Sequence, residues 1–399
     1  MKKNRVASLE FKAHWNSEIG EHTETYFSRK VNLWRDILPE EAQKKLSNNG
    51  HRNIQLTLPA AGLLTPDEER ILELERKRFR SIEIEGKRLE PYFGRFYPRG
   101  LLKGVRNVFA SNVQPFRCIG VSASNLRANF NHPLAGRELE VEIKVHNVRE
   151  KENEIGGQMT NWLEVLTDGP GMQARWQGQP TDFFTGEPFA RPDEDNDLLF
   201  YEKPRLVTHV DEQALKHISA IYGTWLKPGM RVLDLMSSVK SHVPDSVELE
   251  ALVGLGLNAE ELAGNSRLTS HVVHDLNARP EMPFDDASFD AIICSVSVEY
   301  LTRPLEVFED CERILKPGGV LIQTFSNRWF PPKVTSIWRE LSEFERMGLV
   351  LEYYLQSGGY EDLKTYSIRG WPRPVDDNYY PKVRVSDPVY AVVGKAKAA

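Results

Sequence analysis

Between Asp211 and Gly229 the sequence DEQALKHISAIYGTWLKPG spaces Leu215, Ile218, Tyr222 and Trp225 three and four residues apart. That spacing predicts a helix with one apolar face, stopped by Pro228 and Gly229. The apolar run MRVLDLMSS (230–238) follows as a strand, with Asp234 near its carboxyl end and small residues after it. ELEALVGLGLN (248–258), SHVVHDLN (270–277), FDAIICSVSVEYL (289–301) and VLIQTFSN (320–327) read as further strands, and LEVFEDCERILKPGG (305–319) as a helix and turn. DPVYAVVG (387–394) can supply a last antiparallel strand. Strands alternating with amphipathic helices predict an α/β fold with a mostly parallel sheet over 200–399. In such sheets ligands bind in the crevice beyond the carboxyl ends of the strands.

The first half has a different texture. Residues 1–90 are charged and read as largely helical, notably PEEAQKKLSNNG (39–50) and TPDEERILELERKRFRSIEIEG (65–86), the second with Thr65 as cap and Pro66 in the first turn. Its run RKRFR (76–80) can touch phosphate or simply face solvent. Residues 91–150 carry short alternating runs, FRCIGVSA (116–123), NLRANF (125–130) and ELEVEIKVHNV (138–148), with the turn NHPLAG (131–136) before the last. They predict an antiparallel β module. Residues 151–199, dense in Gly, Pro and acids, read as a connector, which leaves 200–399 as a separate domain.

Composition narrows the function. Hydrophobic residues make up 40% and charged residues 27%, enough apolar material for real cores. With 51 Lys and Arg against 57 Asp and Glu, the net charge of −6 argues against a polyanion binder that relies on overall basicity, so no nucleic-acid partner is expected. No run approaches the ~18 apolar residues of a membrane span, and no apolar signal core follows the basic start, so the expectation is a cytoplasmic protein without a membrane partner. Cys118, Cys294 and Cys311 make no disulfide framework, and His271 and His274 point to opposite faces of a strand; no metal site is expected.

Over 200–394, VLDL, HDLN with PFDDASFD, and RILKPGGVLIQTFSN make the chain resemble the class I S-adenosylmethionine-dependent methyltransferases of type 11, with their Rossmann-like sheet. NHPLAG followed by LEVEIKVHNV resembles part of a SlyD-like FKBP-type prolyl isomerase, for which Phe96, Tyr97 and Phe116 would line a proline pocket or form plain core. The first resemblance implies S-adenosylmethionine as cofactor and a small-molecule or protein acceptor. It implies that Asp234 orders the loop after the first strand and meets the cofactor's amino group, and that Asp275 reads the adenine amino group beside the Leu276 backbone. Asp275 as the cap of a turn is the structural alternative.

The chain departs from the pattern at two points. Met236, Ser237, Ser238 and Val239 stand where the family has a glycine-rich loop, and Gly256 stands where it has the ribose-binding acid, so either Asn258 or Glu260 would take that place or the ribose would be held differently. Ser295 follows the fourth strand towards the methyl group. His242, Glu299 and Tyr300 are the catalytic candidates, His242 (with His209) as general base and the other two orienting the acceptor. Asn327, Arg328 and Trp329 can shape an acceptor pocket, Arg328 by pairing with an acid. The rival reading is a binding or chaperone-like protein on a methyltransferase fold that no longer catalyses.

Overall fold

The computed structural model describes residues 5–47, 53–58, 65–84, 87–150 and 156–398. The chain opens on a long hairpin, β1 (Arg5–Ser17) and β2 (Gly20–Asn32). In β1, buried Ala7, Leu9, Phe11, Ala13 and Trp15 alternate with Ser8, Glu10, Lys12 and His14, a period-two pattern that puts these five apolar side chains in one core, outside which Val6 falls. After α1 (Glu40–Ser47) come β3 (Asn53–Leu58), β4 (Ile71–Glu75), β5 (Glu83–Ile84), β6 (Lys87–Arg88), β7 (Phe96–Pro98), β8 (Pro115–Val121), β9 (Asn125–Asn129) and β10 (Leu139–Glu150). Short helices α2 (Trp162–Thr167) and α3 (Asp197–Phe200) lead to α4 (Glu212–Trp225), which Asp211 caps by accepting from the Gln213 and Ala214 amides.

The second half alternates as expected: β11 (Arg231–Leu235), β12 (Ala251–Gly256), α5 (Ala259–Gly264), β13 (Ser270–Val273), β14 (Phe289–Ser295), α6 (Pro304–Ile314) and β15 (Leu315–Phe325). It ends with α7 (Ser336–Glu340), α8 (Glu343–Ser357), β16 (Tyr360–Arg369) and β17 (Val389–Ala396). The sheet order is β13-β12-β11-β14-β15-β17-β16-β2-β1-β10-β3, eleven strands in all. β11 to β15 are mutually parallel, and β17 lies antiparallel between β15 and β16. One face, with Leu233, Leu255, Ile292 and Leu321, packs under α6 and α8, and the other, with Val232, Leu252, Ile293 and Ile322, packs under α4.

Several expectations give way. The segment 65–86 is not a helix: ILELE alternates, and β4 pairs with β9 in the register Leu72↔Ala128 and Leu74↔Leu126. The described residues among 1–90 are therefore largely β, with α1 as their α-helix. Residues 91–150 do not make one module, because β7, β8 and β9 join β4 in a four-stranded sheet while β10 crosses to pair with β1 and β3. Phe96, Tyr97 and Phe116 are buried, the last two in the core of that small sheet. The stretch 156–199 is packed rather than free-running, with Trp162 and Leu166 in the core over β1 and Phe183 in the core under α8. Lys316–Gly319 do not precede β15 but lie inside it, where the register against β14 shifts and Gly318 takes φ 75°.

The separation at residue 200 also fails at the level of the sheet, because β2 continues it by parallel pairing with β16. Across this seam Glu24 is buried and accepts from Trp15 Nε1 (3.1 Å), Gln173 Nε2 (2.9 Å) and the Ser367 hydroxyl. Arg175 donates two 2.7 Å bonds to buried Glu352, and buried Arg95 lies 3.6 Å from Glu345. A fragment 200–399 would strand Glu345 and Glu352 and expose the β16 edge. Losing one partner of a buried pair costs about 3 to 5 kcal/mol, so the fragment should melt roughly 10 °C or more below the full chain and self-associate. Calorimetry and gel filtration check this; a monomeric fragment with the full-length midpoint would contradict it.

Candidate active site

A cavity of about 1170 Å³, counting its open mouth, lies beyond the carboxyl ends of β11, β12 and β14. This is where the strand order reverses on either side of β11. Among the residues proposed from sequence, Asp234, Met236, Ser237, Ser238, Asn258 and His242 line it on the β11 and β12 side. Asp275 and Leu276, after β13, and Ser295 and Tyr300, at and beyond the end of β14, also line it.

Asp234 ends β11 with its carboxylate buried; burial pushes its pKa up to about 6, opposed by hydrogen bonds from Ser237 (2.6 Å) and Ser241. The loop then turns hard against the next strand, the Ser237 amide donating to the Leu255 carbonyl at 2.7 Å. A Cβ at Gly256 would stand 2.3 Å from the Ser237 carbonyl oxygen. That contact explains the missing acid, since no side chain fits at residue 256 while the loop runs this way. Met236, His242 and Val296 all hold positive φ (54°, 55° and 50°) around the cavity, a conformation costly for non-glycine residues.

The carboxylate on this side of the cavity comes from Glu261 instead, which sequence reasoning missed. Its oxygens accept from Ser238 Oγ (2.6 Å) and the Arg205 amide (2.7 Å). The available signal was an acid three residues after Asn258, the N-cap of α5. Asn258 is committed to structure: its oxygen caps α5 and its amide nitrogen donates to the Tyr201 and Glu202 carbonyls. Glu260 is not among the lining residues.

Asp275 lines the cavity, and one of its oxygens accepts from the Asn277 and Ala278 amides, the turn cap that is its structural alternative. Asn277, also missed, ties the wall together by donating to Asp197 (2.8 Å) and the Tyr300 carbonyl (3.0 Å). Ser295 shares a 2.7 Å hydrogen bond with the Tyr222 hydroxyl. The Tyr300 hydroxyl accepts from the Phe330 amide at 2.8 Å, and burial raises its pKa well above the ordinary range. Burial, with the charges of Lys240 and His209, pulls His242 down to about 4, so it is neutral near pH 7. Arg205, another missed residue, rests its guanidinium over Phe200 (4.3 Å), Tyr201 and Phe330 in the cavity wall.

Glu299 is the candidate that fails. It sits in a single turn of 3-10 helix, Val298–Tyr300, which sends Tyr300 to the cavity and Glu299 into the interior, 1% exposed. Neither carboxylate oxygen has a hydrogen-bond partner among the described residues. Asn327, Arg328 and Trp329 also turn elsewhere: Asn327 to Glu343, Arg328 over the Tyr379 ring, and Trp329 under Arg346.

Burial raises the Glu299 pKa from 4.5 to about 8, with Arg346 opposing. Because the folded chain holds this proton more tightly than the unfolded chain, its contribution to stability is whole below pH 4.5 and is lost as the pH climbs towards 8. Between about pH 5 and pH 8 the native protein should lose on the order of 4 kcal/mol relative to Glu299→Gln, whose neutral amide does not titrate. Denaturant unfolding at the two pH values checks it, and parallel stability curves for the two proteins would refute it.

The fold and the site define a Rossmann-like α/β protein with a ligand cavity at the switch point of its sheet. Residues 246–323 match the methyltransferase domain family model. The chain is 28% identical over 98 residues to the malonyl-[acyl-carrier protein] O-methyltransferase of Marinomonas sp., covering 24% of this chain and 36% of that one. It thus spans about a third of that relative's length. It is 26% identical over 186 residues to the demethylmenaquinone methyltransferase of Clavibacter sepedonicus, 43% of this chain and 71% of that one. A solved complex of the Haloferax volcanii Trm112 methyltransferase activator with a methyltransferase aligns at 18% identity and a TM-score of 0.37, over 51% of this chain and 95% of the other.

Proposed function

We propose that the protein is an S-adenosylmethionine-dependent methyltransferase whose acceptor, a small molecule or a protein, is still to be identified. The observation that carries this is the placement of Asp234 and Asp275 in the lining of one cavity, the second within the stretch that matches the methyltransferase domain. The residues fit the cofactor at two of its ends. Asp275 and the Leu276 backbone suit an adenine edge, and the buried Asp234 carboxylate, with no ion pair of its own, suits an ammonium. At the ribose the carboxylate has moved from the strand end to the first turn of α5, where Glu261 meets Ser238.

When bound, the cofactor supplies a methyl group already activated on a sulfonium. The chain's contribution is position and exclusion of water. Tyr300, Phe330 and Arg205 close one wall, and His242, neutral at pH 7, can accept a proton from an acceptor.

Calorimetric titration with S-adenosylmethionine and S-adenosylhomocysteine tests the proposal; absence of heat with both would defeat it. Within that experiment Asp275→Asn is the informative variant, since Asn keeps an oxygen for the Asn277 and Ala278 amides but gives up the charge. Affinity should fall about tenfold, from loss of roughly 1.5 kcal/mol of charge-assisted bonding, while the apo midpoint barely moves. A lowered midpoint with unchanged affinity would reduce Asp275 to a turn cap.

Asp234 adds a pH signature. With its pKa raised to about 6, it is protonated below that value and offers a cation no counter-charge. Affinity for S-adenosylhomocysteine should therefore weaken as the pH falls through 6, and Asp234→Asn should flatten the profile at a lower affinity. A profile flat in the unaltered protein would remove Asp234 from the ammonium role.

A further inference from the structure

The chain is acidic overall, yet from Pro91 to Arg137 it contains no Asp or Glu and seven Lys or Arg. Part of this stretch is the loop between β7 and β8. The loop is rooted where the Gly100 amide donates to the Asn112 carbonyl at 2.9 Å and a Cβ at Gly100 would meet the Ala110 oxygen at 2.5 Å. At its tip a turn closed by the Asn112 amide on the Phe109 carbonyl (2.9 Å) is bracketed by Phe109, 72% exposed, and Val113, 82% exposed.

Basic residues lie in this loop, at Lys103 and Arg106, and along its base. The Lys103 amide donates to the Arg78 carbonyl and the Arg80 amide to the Leu101 carbonyl, which lays residues 78–80 of RKRFR along the base of the loop. Two of the acids flanking RKRFR are taken: Glu75 pairs with Lys77, and Glu90 with Arg76 and Arg88. Arg80, Lys103 and Arg106 have no ion-pair partner among the described residues.

We propose that this loop docks the protein on an anionic lipid bilayer, with Phe109 and Val113 entering the interface and Arg80, Lys103 and Arg106 meeting the headgroups. Phe109 and Val113 stand exposed at the loop tip, and cations without ion-pair partners among the described residues are complementary to a negative surface. A single-stranded nucleic acid suits the pattern less well, because Val113 has no face on which a base can stack. No helix among the described residues is long and apolar enough to cross a membrane, so the attachment is peripheral. This departs from the expectation of no membrane partner.

The test is co-sedimentation of the full chain with vesicles of phosphatidylcholine alone and with vesicles containing about one third phosphatidylglycerol. The anionic vesicles should bind at least about tenfold more protein, and high salt should release it. The double variants Phe109→Ser/Val113→Ser and Lys103→Glu/Arg106→Glu should each lose about tenfold or more while keeping the thermal midpoint, since all four side chains are exposed. Equal partition onto the two vesicle types overturns the proposal, as does unimpaired binding by either variant. Tight binding of single-stranded RNA without vesicle association would overturn it in favour of a nucleic-acid surface.

Discussion

The parallel pairing of β16 with β2 is the constraint to which the rest of the molecule is fitted. Without this pairing the sheet built from β11 to β17 would end at β16, and an exposed edge there invites association. Here the edge is filled from the first thirty-two residues of the chain, so close that a Cβ at Gly20 would stand 2.1 Å from the Leu363 carbonyl oxygen. The pairing forces polar groups into the interior, and each is met. His22 bonds Thr365 at 2.7 Å and stays neutral, its pKa pulled down to about 3 by burial. Glu24 is pushed up by burial and restrained by three donors.

A second close approach sets the chemistry of the cavity. The loop after β11 leans on the end of β12 at Gly256, and this decides which groups can face a ligand. A larger residue at 256 would push the loop away, and the Ser237 and Ser241 bonds to Asp234 would go with it. Glycine at this position and serines in the loop are thus one adaptation. The loop hydroxyls of Ser237 and Ser238 hold two buried carboxylates, Asp234 and Glu261.

How much of this was legible follows from which interactions are local. The strands β11 to β15 and the helices between them announce themselves because each buries a continuous apolar run, and the cavity residues fall at their ends. The hairpin β1–β2 carried an equally plain alternation from Ala7 to Trp15, but the charges on its other face masked it when the region was judged by composition. The segment 65–86 misled because acids preceding bases satisfy a helix as well as an exposed strand, and only the partner β9 decides between them. Glu299 was misplaced for want of one turn of geometry: the 3-10 turn sends adjacent residues opposite ways. Arg205 was missed for a different reason, since its backbone meets Glu261, a contact between segments more than fifty residues apart in sequence, and Glu261 offered only its place in the first turn of α5.

The cavity also carries a cost that bears on what it is for. Of the seven non-glycine residues with positive φ, three, Met236, His242 and Val296, line this single cavity. Such conformations cost about 1 to 3 kcal/mol each and persist where the surroundings over-determine them. Val296 is the sharpest case, because a β-branched side chain suits that conformation least, yet its amide is held to the Thr324 carbonyl at 2.7 Å. The strain falls at the carboxyl ends of β11 and β14, where backbone must be aimed at a bound molecule, and not in the tightly packed strands beneath. A fold kept merely as a scaffold has no need of this arrangement, since glycine at 236 would relieve part of the cost. The distribution of strain therefore supports a cavity maintained for a ligand.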